Sequence, residues 1–301
     1  MLKVVTGGNG LVGSQFGSTY HKLSRKDADF TRRDETVALF KKLAPETVIH
    51  TAAKVGGLYS NIQSPADYFE QNQYINTHIL EACHLSGVKK VVAFLSTCIF
   101  PDAVEYPLTE EKIHSGPPHH SNYGYAYAKR MLEVGIQTHN QQYGTRYFCV
   151  IPTNIYGTHD NFSLEEGHVI PALIHKVYLA RENKTALQVP GDGSALREFV
   201  FARDVAHIVD RLLTEYNGTA PLIISSGYEI SILQILEMIT ELMNYRGKVA
   251  WQKHLPNGQH RKPSDISKLK SVLPDIKLTE IYDGLKETIH WFETNYPHVR
   301  K

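Results

Sequence analysis

A chain of 301 residues, 42% hydrophobic and 21% charged, has the composition of a folded protein with room for one large or two modest cores, which excludes intrinsic disorder. A formal net charge of +1 provides no field that would gather nucleic acid or an anionic membrane, so the expected partner is a small molecule. The three cysteines, Cys83, Cys98 and Cys149, fit neither a disulfide framework nor a zinc pattern and point to a reducing compartment.

Met1 leads straight into a strand, with no charged leader, and no later segment approaches the length of about eighteen apolar residues that a membrane span needs. A soluble cytoplasmic protein is therefore expected. The first strand, Leu2 to Val5, runs into Thr6-Gly-Gly-Asn-Gly-Leu-Val-Gly-Ser14, a phosphate-binding loop expected to present backbone amides to a pyrophosphate at a helix N-terminus. Gly8, Gly10 and Gly13 satisfy one dinucleotide spacing; Gly7, Gly10 and Gly13, with Leu11 and Val12 between them, satisfy the wider one. Gly17 limits the following helix to a short one. The next strand ends at Ser24, followed by Arg25 and Lys26. Two cations there suit a 2'-phosphate and favour NADPH over NADH, although Asp27 and Asp29 keep a plain solvated turn open.

Glu35 to Leu43 reads as an amphipathic helix and Thr47 to His50 as a buried strand. The small residues that follow, Ala52 and Ala53 above all, allow a ligand to approach the backbone. Pro65 to Leu85 is one long helix whose apolar face suits either the core or a partner subunit, with Asn72 and Asn76 sharing a side. Val91 to Leu95 is a strand ending in Ser96-Thr97-Cys98, at the edge where open α/β sheets bind ligands. A Pro- and His-rich bridge leads to a helix carrying Tyr125 and Lys129. Four residues apart, they share a face, and a nearby cation can help a phenol of pKa about 10 to exchange a proton near neutrality. Tyr282 and Lys286 have the same spacing but stand in a terminal helix without such companions. Alternating strands and helices give a doubly wound α/β fold with a parallel sheet.

A strand from Arg146 to Ile151 opens into a polar loop from Pro152 to Phe162, and a helix begins near His168. Taken together, Thr6 to Gly13, Ala52-Ala-Lys-Val-Gly-Gly57, Ser96-Thr-Cys98, Tyr125 with Lys129, Pro152-Thr-Asn154, His159-Asp-Asn161 and Gly167-His-Val-Ile-Pro171 resemble the GDP-L-fucose synthase family of extended short-chain dehydrogenases. The resemblance covers essentially the whole chain. It implies an NADP-binding Rossmann domain over residues 1–160, to which the chain returns at about 198–227, and a smaller sugar-nucleotide domain over 161–301.

The substrate implied is GDP-4-keto-6-deoxy-mannose, with Cys98 as base, His168 as acid, Ser96 on the ketone, and Tyr125 and Lys129 serving reduction by NADPH. Lys129 and His168 would also touch the coenzyme, while Asn154, Lys176, Arg197 and Lys262 would hold the sugar nucleotide. Residue by residue, blander readings exist: Cys98 as a packing residue, His168 as a polar helix start, and the basic stretch Pro256 to Lys262 as solvated charge. Pro190 stands where the family commonly carries tryptophan, and Lys176 where it carries a second arginine. The family is usually dimeric, so a homodimer is expected. Rival readings are a single-reaction nucleotide-sugar 4-epimerase or 4,6-dehydratase, and a non-catalytic NADP-binding regulator. The dehydratase's Thr-Asp-Glu is absent, and Ser96, Tyr125 and Lys129 are all present.

Overall fold

The computed structural model describes residues 2–255 and 259–301. The amino-terminal half alternates short apolar strands with helices: β1 (Lys3–Thr6), β2 (Tyr20–Leu23), α1 (Arg33–Leu43), β3 (Thr47–His50), α2 (Leu58–Gln63), α3 (Pro65–Leu85), β4 (Lys90–Phe94), α4 (Tyr123–Tyr143) and β5 (Phe148–Pro152). There follow β6 (Asn154–Tyr156), α5 (Val169–Glu182), β7 (Leu187–Pro190), β8 (Leu196–Arg197), β9 (Phe199–Phe201), α6 (Ala202–Glu215) and β10 (Leu222–Ile224). The chain closes with β11 (Ile230–Ser231), α7 (Ile232–Leu242), β12 (Val249–Gln252), α8 (Ser267–Val272) and α9 (Ile281–Asn295).

Six strands form a parallel sheet in the order β10-β5-β4-β3-β1-β2, the doubly wound α/β architecture expected. The Val- and Ile-rich runs of β1, β3, β4 and β10 follow from burial on both faces, which parallel strands flanked by helices require, whereas the edge strand β2 exposes His21 and Lys22. Val4, Val48 and Val91 belong to the core on one face, with residues of α3 and α4. Val5, Ile49 and Val92 belong to the core on the other, with residues of α6. A third apolar cluster joins α5, α7 and α9 around Phe162, Phe201 and Phe292. Close to it lie the two-stranded pairs β7 with β12, β8 with β11, and β6 with β9.

Element ends follow local chemistry. Pro65 sits in the first turn of α3, where its missing N–H costs nothing. Helix α1 ends where Ala44, at φ 46°, turns left-handed before Pro45. Gly124 lets the start of α4 approach that of α3, because a Cβ there would collide with the Pro65 carbonyl oxygen. Buried Glu198 ties three segments together, accepting hydrogen bonds from Ser225 Oγ at 2.8 Å, Ser264 N at 3.1 Å and Ser264 Oγ.

One expected element is replaced. After the phosphate loop the chain makes only a single 3-10 turn, Gly13–Gln15, and Phe16 is already extended at φ -68°, ψ 138°. Val12 and Phe16 are drawn into the sheet's apolar face, and α6 closes over them. The Tyr20 hydroxyl is hydrogen-bonded to Asp210 of that helix.

Candidate active site

A single cleft of about 1990 Å³ opens along the carboxyl ends of β1, β3, β4 and β5 and continues to α5 and β8. Gly7 and Thr51, just past β1 and β3, line it together with residues of β4, β5, α5 and β8, and so does every residue singled out above for coenzyme or substrate contact.

Strand β4 and helix α4 build its centre. Lys129 is 2% exposed, and its Nζ donates to the Phe94 carbonyl at 2.8 Å. Desolvation lowers its pKa from 10.5 to about 8, a bias of about 3 kcal/mol toward the neutral amine. The ammonium lies 5.9 Å from the centroid of the Tyr125 ring. Their relation differs from the simple expectation that the cation makes the phenol more acidic. Burial pushes the Tyr125 phenol up, helped by Cys98 and by Tyr68, whose ring meets Tyr125 edge-on. The physical reason is direction: the lysine donates to a backbone carbonyl, and both groups are screened from water. Tyr125 is therefore held as the neutral phenol, the form that can give a proton.

Cys98 lies in a 3-10 turn, Thr97–Ile99, which Arg130 fastens to α4 by donating from Nε to the Ile99 carbonyl at 2.7 Å. Its thiol is half-buried at the cleft wall, not sealed in the core as Cys83 and Cys149 are. Burial raises its pKa, while a hydrogen bond with Ser96 and the charges of Lys262 and Lys129 pull the other way. His168 stands at the N-cap position of α5, its side chain making no capping hydrogen bond, and reaches solvent through the cleft. The surrounding protein nonetheless lowers its pKa by desolvation, and the Arg300 charge adds to this.

The phosphate loop resolves the two glycine spacings. Gly7, Gly10 and Gly13 line the cleft. Gly8 turns toward β2, its N–H donating to the Leu23 carbonyl at 2.8 Å. At Gly7, φ is +70° and a Cβ would come within 2.9 Å of Thr51 Oγ1; at Gly13 a Cβ would strike the Gly7 carbonyl. Ala52, packed directly against Gly7, and Ala53 line the cleft beside the loop, completing a cradle of backbone and small side chains that fits a dinucleotide. Arg25 and Lys26 are exposed at its far end. The competing acids are engaged locally: Asp27 accepts the Ser24 N–H at 2.8 Å, and Asp29 accepts the Thr31 N–H at 2.9 Å.

Asn154, Lys176, Arg197 and Lys262 line the other end. Asn154 Nδ2 donates to the Glu198 carbonyl at 2.8 Å, and Arg197 Nη1 to the Leu196 carbonyl at 2.6 Å. Burial lowers the pKa of Lys176, Arg197 and Lys262. Pro190, also in the lining, presents no aromatic wall. In the basic stretch Pro256 to Lys262, residues 256–258 lie outside the described residues; Gln259 and Lys262 line the cleft.

Sequence reasoning missed the polar groups behind this surface. His50 Nε2 donates to Asn76 Oδ1 at 3.1 Å, which leaves Nδ1 to accept from Thr6 Oγ1 at 2.9 Å. Asn76 in turn donates to the Ala128 carbonyl at 3.3 Å, next to Lys129. Burial, with Lys129 nearby, depresses the His50 pKa to about 3, so this chain from the phosphate loop to α4 runs through a neutral imidazole. Asn72 holds the Ala52–Gly57 loop by pairing with both the N–H and the carbonyl of Lys54 at 3.0 Å. The signal available was two asparagines one helical turn apart; their targets were not readable.

Residues 3–225 match the NAD dependent epimerase/dehydratase family. The GDP-L-fucose synthase of Dictyostelium discoideum is 44% identical over 99% of this chain and 97% of its own. That of Escherichia coli (strain K12) is 30% identical over 98% of each. A GDP-L-fucose synthetase from Naegleria fowleri, solved bound to NADP, has a TM-score of 0.93 at 38% identity, covering 100% of this chain and 95% of that one. With such identity sustained from end to end, over a cleft lined by a thiol, a phenol, a lysine and a histidine, this chain belongs to the GDP-L-fucose synthases of the NAD dependent epimerase/dehydratase family.

Proposed function

We propose that this enzyme converts GDP-4-keto-6-deoxy-D-mannose to GDP-L-fucose by epimerisation at C3 and C5 followed by NADPH-dependent reduction at C4. The observation that carries the reading is that Cys98 and His168 line the same cleft as Tyr125 and Lys129, so proton exchange at carbon and reduction of a carbonyl have their groups in one place. The substrate's C4 ketone acidifies the hydrogens on C3 and C5. Cys98, as thiolate, removes them in turn, and His168 returns a proton to the opposite face. A thiol whose pKa is raised is a strong base once ionised, and an imidazolium whose pKa is lowered is a strong acid, so both shifts aid the transfer. Ser96 donates to the ketone oxygen as negative charge gathers there.

NADPH, when bound, supplies the hydride that adds to C4. Gly7, Gly10, Leu11, Val12 and Gly13 would hold its diphosphate, Arg25 and Lys26 its 2'-phosphate, and Ala52, Ala53, Lys129 and His168 the remainder. Tyr125 gives its phenolic proton to the C4 oxygen, and Lys129 holds the phenol's surroundings in place. Asn154, Lys176, Arg197 and Lys262 bind the sugar nucleotide, the cations balancing its diphosphate. Residues 1–160 with the return segment 198–227 serve the coenzyme, and 161–301 without that segment the sugar nucleotide.

Incubation with NADPH and the keto sugar nucleotide, followed by product stereochemistry, tests the assignment. GDP-L-fucose is expected; a product reduced at C4 with C3 and C5 unchanged would leave a plain carbonyl reductase. Arg25→Ala is expected to weaken NADPH binding about tenfold and NADH binding hardly at all, as loss of one charge-assisted contact to a single phosphate requires. Equal losses would reject the 2'-phosphate assignment.

Helices α3 and α4 also carry an unpartnered apolar stripe, with Tyr123 55%, Met131 41%, Val134 37% and Phe69 39% exposed. A homodimer through these helices accounts for it. Met131→Glu is expected to shift the protein from dimer to monomer in light scattering; a dimer of unchanged affinity would move the interface elsewhere. Three free thiols suit a cytoplasmic enzyme, which cell fractionation would check.

A further inference from the structure

The phosphate loop has no α-helix behind it. A full helix would bring the equivalent of about half an elementary positive charge to a bound diphosphate, and the 3-10 turn Gly13–Gln15 is too short to do so. A cation from the far end of the chain reaches the same cleft. Arg300 lines it, on a tail fixed from both sides: the Phe162 N–H donates to the Arg300 carbonyl at 2.9 Å, and the Lys301 ammonium stands 4.4 Å over the Tyr296 ring. Val299 between them and α9 is buried. The Arg300 side chain is exposed to the cleft, and among the described residues no hydrogen bond or ion pair engages its guanidinium.

Two links place this residue on the coenzyme side. Gln15 Nε2, in the turn that closes the phosphate loop, donates to Thr158 Oγ1 at 3.0 Å, and the charge of Lys22 reaches His159, so Thr158 and His159 border the end of the loop. Next in the chain is Asp160, whose pKa burial raises to about 7 while the charge of Arg300 pulls it back down; the same charge acts on His168. Asp160 is 3% exposed; its Oδ1 accepts the Asn161 N–H at 2.7 Å, while Oδ2 is buried with no hydrogen-bond partner among the described residues. A guanidinium can offer one edge to a carboxylate and another to a phosphate.

We propose that Arg300 is a ligand of the coenzyme diphosphate, brought by the C-terminal tail to a loop that lacks its helix and oriented from behind by Asp160. The inference rests on the NADPH reading above. It assigns Arg300 to the part of the molecule that NADPH and NADH share, in contrast to Arg25.

The test is titration of coenzyme fluorescence with NADPH and with NADH, using the full-length protein, Arg300→Ala, Arg300→Lys and Arg25→Ala, with thermal melting as a control of folding. Arg300→Ala is expected to raise the Kd for both coenzymes by a similar factor, about tenfold, and Arg300→Lys to recover part of the loss. Arg25→Ala is expected to lose NADPH alone. A loss confined to NADPH in Arg300→Ala would overturn the proposal, as would unchanged coenzyme affinity with a raised KM for the sugar nucleotide. Unchanged binding throughout would overturn it too. Failure of the unaltered protein to bind NADPH would instead sink the coenzyme reading on which it rests.

Discussion

Cys98→Ser is expected to abolish solvent deuterium incorporation at C3 and C5 of the substrate and to lower the rate of GDP-L-fucose formation by about 10²- to 10⁴-fold, the range of a lost general base. The substitution changes little else. Cys98 is half-buried at the cleft wall, and its turn is held by Arg130 through the backbone, so folding should be retained. A serine hydroxyl, far less acidic than a thiol, cannot ionise in a site that already raises the thiol's pKa by burial.

The pH profile of exchange carries the same argument. The thiolate forms only as pH rises past a value above that of an ordinary cysteine, and the imidazolium persists only below a value lower than that of an ordinary histidine. Between the two limits most molecules hold thiol and neutral imidazole, and the productive thiolate–imidazolium pair is a minor form with the same number of protons. The rate is therefore expected to be level through neutrality, to fall in acid as the imidazole is protonated without a thiolate, and to fall in base as both groups lose protons. Exchange at the unaltered rate in Cys98→Ser would remove the thiol from the mechanism.

Much of this site was legible because local chemistry decides it. Pro65 at the start of α3 and the apolar periodicity up to Leu85 placed that helix to the residue, and Thr47–His50 is the strand expected from its burial pattern. The glycine loop, the Ser96-Thr97-Cys98 strand end and the Tyr125–Lys129 spacing were likewise visible, since each is set within a few residues. What stayed hidden depends on contacts between distant parts of the chain. Strand β12 exists because Val249 to Gln252 pair with β7, and β6 because it meets β9. The link from Thr6 through His50 and Asn76 to α4 joins four segments. Loss of the helix after the phosphate loop reflects how Val12 and Phe16 are captured by the sheet, which sequence spacing does not report. The direction of the Lys129 ammonium was set by the Phe94 carbonyl, a backbone group that no side-chain pattern reveals.

That last point gives Tyr125→Phe its expected outcome. Phenylalanine keeps the ring and its edge-on packing against Tyr68, so the cleft and the helix should be preserved. Only the acidic hydroxyl is removed. Burial holds the Tyr125 phenol neutral, and a neutral phenol is the species needed when hydride addition to C4 leaves an alkoxide that must take up a proton. Reduction is expected to fall about 10²- to 10⁴-fold, while deuterium exchange at C3 and C5, which uses Cys98 and His168, continues near its normal rate. The epimerised 4-keto intermediate should then accumulate, and mass spectrometry would detect it carrying deuterium. Exchange lost together with reduction would mean that the phenol serves the carbon acid chemistry as well, through the ketone oxygen it shares with Ser96. Full turnover by Tyr125→Phe would show that the proton reaches the C4 oxygen from another group, and Ser96 would be the first to replace.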